Sequence, residues 1–332
     1  MTEIALLENL RRNPFVLAPM AGITDRPFRT FMREMGCGIV VSELVSATGL
    51  KYSSDKTRKL MEFDPIQSPV GIQLFGENFE HLAYAAREVE QMGADFVDLN
   101  FGCPVPKVVN KGAGSACLKD LSKLRDTIRA AKSGIKIPLT IKVRTGWDAN
   151  TRNTHEVAQI AYDEGVTWVA IHGRTRAAAY TGLADWDYIR EVKAQSKVPI
   201  IGNGDINSSL TAVRRLEETL CDGVMIGRGC LKNPRLFIEA RGILDEERSF
   251  GRILDRLHTH LSGFYDERLT LIQMRKFAAW YSAGFAGAAN FRKDLFQLHS
   301  RDEVLGRIHG FFNAASHQAD TSHEPFLMGG HG

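Results

Sequence analysis

The 332-residue chain lacks most of what would set it apart from an ordinary folded protein. Its five cysteines, Cys37, Cys103, Cys117, Cys221 and Cys230, are odd in number and scattered, with no C-x-x-C pair. That spacing suits neither a disulfide framework nor a thiolate zinc site, and no metal is expected. No apolar run reaches the roughly 18–20 residues that a membrane span needs, so no membrane association is expected. Neither sign of charge is in excess: 42 Lys+Arg against 39 Asp+Glu leave +3. Such a balance does not by itself predict a nucleic-acid partner; only local clustering could. The opening MTEIALLENLRRNPF carries Glu3 and Glu8 and has no apolar core or small-residue cleavage site. Export is therefore not expected, and a reduced, cytoplasmic setting is. A dinucleotide fingerprint is also missing. Gly112-Ala113-Gly114-Ser115-Ala116-Cys117 fails at its third glycine and does not follow a strand, which makes a mononucleotide-sized resident cofactor more natural than NAD.

What is present is an alternation. Short aliphatic and β-branched runs at 15–19, 39–42, 70–74, 96–100, 139–143, 168–172, 199–202 and 223–226 predict strands. Amphipathic segments lie between them. One opens at Asp25-Arg26-Pro27 and stops at Gly36; others run from Asn78 to Gly93 and from Asn153 to Gly165. Strands alternating with helices imply a parallel sheet with right-handed crossovers. Eight such units in roughly 230 residues match a (β/α)8 TIM barrel; a doubly wound sheet is the alternative that the alternation alone leaves open. Polar or glycine-rich residues follow nearly every run: Met20-Ala21-Gly22, Glu43, Gln73, Asn100-Phe101-Gly102-Cys103, Lys142 and Arg144, His172-Gly173-Arg174, Asn203-Gly204-Asp205 and Gly227-Arg228-Gly229. In a barrel these converge on one rim, where active sites of this fold sit.

The alternation stops near residue 245. Ile253, Leu257, Leu261 and Phe264 then share one helical face, and Ser300 with Glu303 forms a capping-box pattern before a last helix. A barrel over 1–245, a small all-α segment over 246–314 and a disordered tail over 315–332 are expected, in a chain that acts as a monomer.

Four features carry chemistry. The loops after the last two strands, Gly202-Asn203-Gly204-Asp205 and Gly227-Arg228-Gly229, stand where barrels commonly bind phosphate. Cys103 lies in a Gly- and Pro-bounded loop on the rim. A thiol with an ordinary pKa near 8.5 is mostly protonated at neutral pH, which suits proton donation better than nucleophilic attack; inert packing is the other reading of a half-buried cysteine. Lys142 ends a strand that is otherwise apolar, so its ammonium needs an anion. His172 has the same placement, as a ligand contact or a hydrogen-bonded core residue.

Taken in order, these stretches resemble the tRNA-dihydrouridine synthases. The matching segments are Ala18-Pro19-Met20-Ala21-Gly22-Ile23-Thr24-Asp25-Arg26-Pro27-Phe28-Arg29, Gln73-Leu74-Phe75-Gly76 and Asp98-Leu99-Asn100-Phe101-Gly102-Cys103-Pro104. They continue with Lys142-Val143-Arg144-Thr145-Gly146-Trp147, His172-Gly173-Arg174-Thr175, Asn203-Gly204-Asp205-Ile206 and Met225-Ile226-Gly227-Arg228-Gly229. The Met-Ala-Gly-Ile-Thr-Asp opening is similar to the bacterial B-like branch. The resemblance implies flavin-dependent reduction of the C5–C6 bond of D-loop uridines in tRNA, with FMN held by the barrel and NADPH or NADH as reductant. Pro19, Met20 and Ala21 would line the flavin, Gln73 would sit at its ring edge, and Lys142 and His172 would contact it. Asn203, Gly204, Asp205, Gly227 and Arg228 would hold its ribityl phosphate. Cys103 would protonate C5 opposite a hydride delivered to C6, and Asn100 and Arg174 would lie near the uridine.

The helical segment offers modest support for an RNA partner. Leu271, Met274, Ala278 and Tyr281 share one face, leaving Lys276 and Trp280 on the other, either against RNA or against the barrel. If RNA binds there, Arg275, Lys276, Arg292 and Lys293 are the expected phosphate contacts. An FMN-dependent oxidoreductase of a small pyrimidine is the rival reading.

Overall fold

The computed structural model describes residues 1–52, 55–243 and 249–314. The expected boundary at 245/246 and the expected tail at 315–332 fall outside the described residues. Eight parallel strands close into a barrel in sequence order: β1 (Phe15–Leu17), β2 (Ile39–Ser46), β3 (Val70–Phe75), β4 (Phe96–Phe101), β5 (Leu139–Arg144), β6 (Val169–His172), β7 (Ile200–Asn203) and β8 (Gly223–Ile226). Closure comes from β8 pairing back onto β1, Phe15 opposite Val224. The doubly wound alternative is thereby removed.

Side chains alternate across each strand, as the two-residue period of a pleated strand requires. Val16, Ile39, Phe96, Trp168, Ala170, Ile201 and Met225 fill the lower interior, and the N-terminal helix Glu3–Arg12 plugs that end with Leu6 and Leu10. The intervening apolar positions, such as Leu17, Val97, Leu99, Ile141 and Ile171, face the surrounding helices. Nearer the C-terminal ends, the same inward column becomes polar: Gln73, Asp98, Asn100, Thr140, Lys142, Arg144, His172 and Asn203. The barrel is thus dry at its base and chemically loaded at its mouth.

The helices start and stop largely where their sequences predict. Asp25 accepts from the Phe28 amide at 3.0 Å to open Arg26–Glu34, and Asn78 accepts from His81 to open Phe79–Gln91. Gly93, just past the latter helix, takes a left-handed φ of +84° that a side chain would resist. Asn153 precedes Thr154–Asp163 but does not cap it; its amide donates to the Leu118 carbonyl at 2.8 Å instead.

Four further helices, Phe250–Ser262, Glu267–Tyr281, Ala288–Leu295 and Arg301–Ala314, pack beside the mouth. Their core is aromatic: Phe291 stacks on Phe311 with centroids 4.1 Å apart, and Phe250, Phe285 and Phe312 cluster around them. Phe277 stacks on Phe28 of the barrel at 5.0 Å, so the apolar core runs continuously from barrel to helices. Ser300 and Glu303 form the reciprocal capping box that opens the last helix. Among the described residues, no helix is long and apolar enough to cross a membrane.

Candidate active site

A cavity of about 380 Å³ opens at the C-terminal end of the barrel. Ten of the residues singled out from sequence line it: Pro19, Met20 and Ala21 after β1, Lys142 on β5, His172 on β6, Asn203, Gly204 and Asp205 at β7, and Gly227 and Arg228 after β8. Lys142 donates to the Asn203 side-chain carbonyl at 3.1 Å, and Asn203 donates in turn to the Met225 carbonyl at 2.7 Å. That contact orients the ammonium without neutralising it. Burial lowers its pKa to about 8, reinforced by Arg144 and opposed by Asp98. His172 is pushed well below its ordinary value by burial and by the cations Lys142, Arg144, Arg174 and Arg228. It is therefore a neutral ring at physiological pH, able to give or take a hydrogen bond.

Cationic side chains so concentrated in a recess call for an anion. Where the chain departs from β8, a short 3₁₀ turn, Arg228–Leu231, brings Gly229 so close to the turn after β7 that a Cβ there would lie 2.1 Å from the Ile206 carbonyl oxygen. The two loops form one cradle that only glycine permits. A phosphorylated, mostly apolar ring system fits this donor set: Lys142 and Arg228 for charge, and Met20, Ala21 and Met225 for the ring.

Asn100 and Cys103 do not line the cavity but flank it at the end of β4. The Asn100 side-chain oxygen accepts from the amides of Gly102 (3.1 Å) and Cys103 (2.8 Å), while Ser115 donates to the Cys103 carbonyl at 2.8 Å. Burial raises the Cys103 thiol pKa, more than the Val105 amide and Arg144 lower it, so the sulfur holds its proton at neutral pH. Gln73 lies below, 1% exposed, donating to Asp98 at 2.7 Å and accepting from Asn100 at 2.8 Å. Arg174, 5% exposed, spends its guanidinium on Asp205 (2.8 Å), Gly182 (2.7 Å) and Thr181 (3.2 Å). It braces the loops after β6 and β7 from within.

The helical cations are also engaged. Arg275 donates to the Leu298 carbonyl at 2.7 Å. Lys276 donates to the Gly22 carbonyl at 2.9 Å and lies 5.3 Å from the Trp280 ring centroid. The face that sequence left open between RNA and barrel is turned to the barrel at Lys276.

Two further residues shape the site: Arg144, expected at the rim but with no role assigned to it from sequence, and Tyr180, which the sequence does not point to. Arg144 donates to the Gly102 carbonyl at 2.8 Å and to Thr175 and Ala179 at 2.9 and 2.7 Å, joining the cysteine loop to the loop after β6. Tyr180 lines the cavity, its ring 5.0 Å from the Arg228 guanidinium and 5.5 Å from that of Arg144. Arg144 had a readable signal, since it lies two residues from Lys142 and so faces the same interior. Tyr180 sits in a loop and had none.

The model of the family described as dihydrouridine synthase matches residues 16–317. The tRNA-dihydrouridine synthase B of Pseudomonas syringae pv. tomato is 36% identical over 324 residues, covering 94% of this chain and 95% of its own. A probable tRNA-dihydrouridine synthase of Rickettsia conorii is 39% identical over 310 residues, covering 90% and 93%. Among solved structures, a 6-hydroxypseudooxynicotine amine oxidase from Pseudomonas geniculata aligns with a TM-score of 0.54 at 13% identity, over 69% of this chain and 46% of that one, a likeness of fold alone. With a matched span that runs from the first strand through the last helix, and relatives aligned over nearly their whole length, the chain belongs to the dihydrouridine synthase family.

Proposed function

We propose that the protein reduces the C5–C6 double bond of D-loop uridines in tRNA to give 5,6-dihydrouridine, with FMN in the barrel mouth and NADPH or NADH as reductant. The observation that carries this reading is the placement of a protonated thiol, Cys103, beside a cavity ringed by Lys142, His172 and Arg228. The names borne by the relatives supply the substrate class. Arg228 and the Gly204 and Gly227 turns would hold the phosphate of FMN; Met20, Ala21 and Lys142 would hold its ring. Reduced FMN held there would supply the hydride for C6 of the uracil. Lys142 sets a positive charge against the ring, the protein's usual lever on cofactor electronics. Cys103 delivers the proton at C5 from its sulfhydryl, acting as general acid. Asn100 fixes the loop that carries that sulfur and would lie near the uridine. The uridine has to leave its stack to be reached at all. We place the catalytic unit in the barrel and the RNA grip on the helical segment, where Arg275, Lys276, Arg292 and Lys293 would contact phosphate once Arg275, Lys276 and Arg292 release Leu298, Gly22 and Ser282.

The decisive test is mass spectrometry of tRNA from a strain lacking this gene, with and without its restoration. A D-loop uridine that loses two hydrogens' mass in the deletion and regains it on restoration is expected; unchanged tRNA would remove the proposal.

A second expectation concerns pH. With Lys142 titrating at about 8 in the free protein, an anionic cofactor binds the protonated form. FMN affinity should be level below pH 8 and weaken above it, by up to about tenfold per pH unit. The cofactor-free fold should respond in the opposite sense. An unfolded lysine titrates near 10.4, so between about 8 and 10.4 the unfolded chain binds more protons and this group adds stability as pH rises. Fluorescence titration of FMN from pH 6.5 to 9.5 reads the first effect, and Lys142→Met should flatten the slope.

A further inference from the structure

Asp98 is a buried carboxyl, 1% exposed, to which the chemistry above gives no part beyond its field at Lys142. It lies inside the barrel on β4, two residues below Asn100 on the same inward column. One oxygen accepts from the Thr140 hydroxyl at 2.6 Å and the other from the Gln73 amide nitrogen at 2.7 Å. Gln73 can then present only its carbonyl upward, where it accepts from the Asn100 amide nitrogen at 2.8 Å. Asn100 is left with its own oxygen toward the loop, where the Gly102 and Cys103 amides donate to it.

The chain has one consistent direction. A flipped Gln73 would set its oxygen against the Asp98 carboxylate and its nitrogen against the Asn100 nitrogen. A flipped Asn100 would set its nitrogen against two backbone N–H groups. Backbone amides have no choice of role, so the loop end fixes Asn100, which fixes Gln73 with its nitrogen toward the Asp98 oxygen, a carboxyl whose pKa burial raises.

We infer that Asp98 is a positioning residue for Cys103: its carboxyl oxygen fixes the Gln73 amide, which fixes Asn100, which holds the cysteine loop at the mouth. The role lies in the accepting oxygen and not in the charge. It rests on the proposed part of Cys103 in uridine reduction only where turnover is concerned.

The test reads the loop directly. Iodoacetamide labelling of Cys103 in the FMN-free protein, followed by peptide mass spectrometry, requires neither cofactor nor tRNA. Asp98→Leu removes the acceptor and should speed Cys103 labelling about threefold to tenfold, the factor that one lost hydrogen bond is worth. Asp98→Asn keeps a carbonyl for Gln73 and offers its amide to the Thr140 hydroxyl, so labelling should stay within about twofold of wild type. In the loaded enzyme, Asp98→Leu should lower kcat with little change in the KM for tRNA, and Asp98→Asn should restore it. Should Asp98→Leu fail to fold, Gln73→Met cuts the same relay one link later and is read with the same expectation. Wild-type labelling in a folded Asp98→Leu or Gln73→Met protein would overturn the inference, and so would equal damage from Asp98→Asn and Asp98→Leu. A labelling change without any effect on turnover would keep the relay and remove Cys103 from the chemistry.

Discussion

Replacing Cys103 by alanine is expected to slow uridine reduction by about 10²- to 10⁴-fold, the range a positioned general acid contributes, while the protein still binds FMN. The two effects separate because the sulfur flanks the cofactor cavity without lining it. Its loop is held by Asn100, Ser115 and the Gly102–Arg144 bond, none of which passes through the Cys103 side chain. Burial keeps the thiol protonated at neutral pH, so the proton is present when needed. Serine should not rescue the loss, because an alcohol is a far weaker acid than a thiol. The measurement is a single-turnover experiment in which prereduced enzyme is mixed with tRNA and flavin reoxidation is followed by absorbance. A near-normal rate in the alanine variant would show that the proton reaches C5 from elsewhere.

Gly229→Ala is expected to strip the protein of its cofactor. The added methyl would lie 2.1 Å from the Ile206 carbonyl oxygen and 3.1 Å from a Leu236 methyl carbon. A side chain could rotate aside, but Ile206 presents backbone, so the turns after β7 and β8 must part. Overpacking of this kind costs about 1–3 kcal/mol. Because the strain falls on the loops proposed to hold the phosphate, it should appear as about a 5- to 150-fold loss of FMN affinity. Fluorescence titration against the wild type measures it. Unchanged affinity would mean that the phosphate is held elsewhere.

The fold was open to reading because its signals are local. Each strand is a short aliphatic run, and capping residues such as Asp25, Asn78 and Ser300 do what their chemistry dictates. The cavity wall was equally accessible, since a barrel brings every strand's C-terminal end to one rim. Side chains that bond across loops were harder to place. Arg174 and Lys276 look like free cations in one dimension, yet Arg174 braces Asp205 and Lys276 reaches Gly22, 254 positions away. Asn153 sits where a cap belongs but is drawn to the Leu118 carbonyl by tertiary packing. Such choices among donors depend on which acceptors the fold brings near, and a sequence pattern carries no record of that.

The turn after β1 is braced from outside the barrel. Tyr265, leading into the helix Glu267–Tyr281, donates to Asp25 at 2.7 Å, and Lys276 within that helix holds the Gly22 carbonyl, while Glu43 accepts from the Gly22 amide. Both carboxyls are largely shut off from solvent, and Lys276 offsets their charge. Grafting the helical segment of a homologue onto this barrel must therefore deliver a phenol and an amine to the same two spots. A graft that omits them leaves Arg29 to offset both carboxyls, so exchanging that segment is inseparable from rebuilding the underside of the turn bearing Met20 and Ala21.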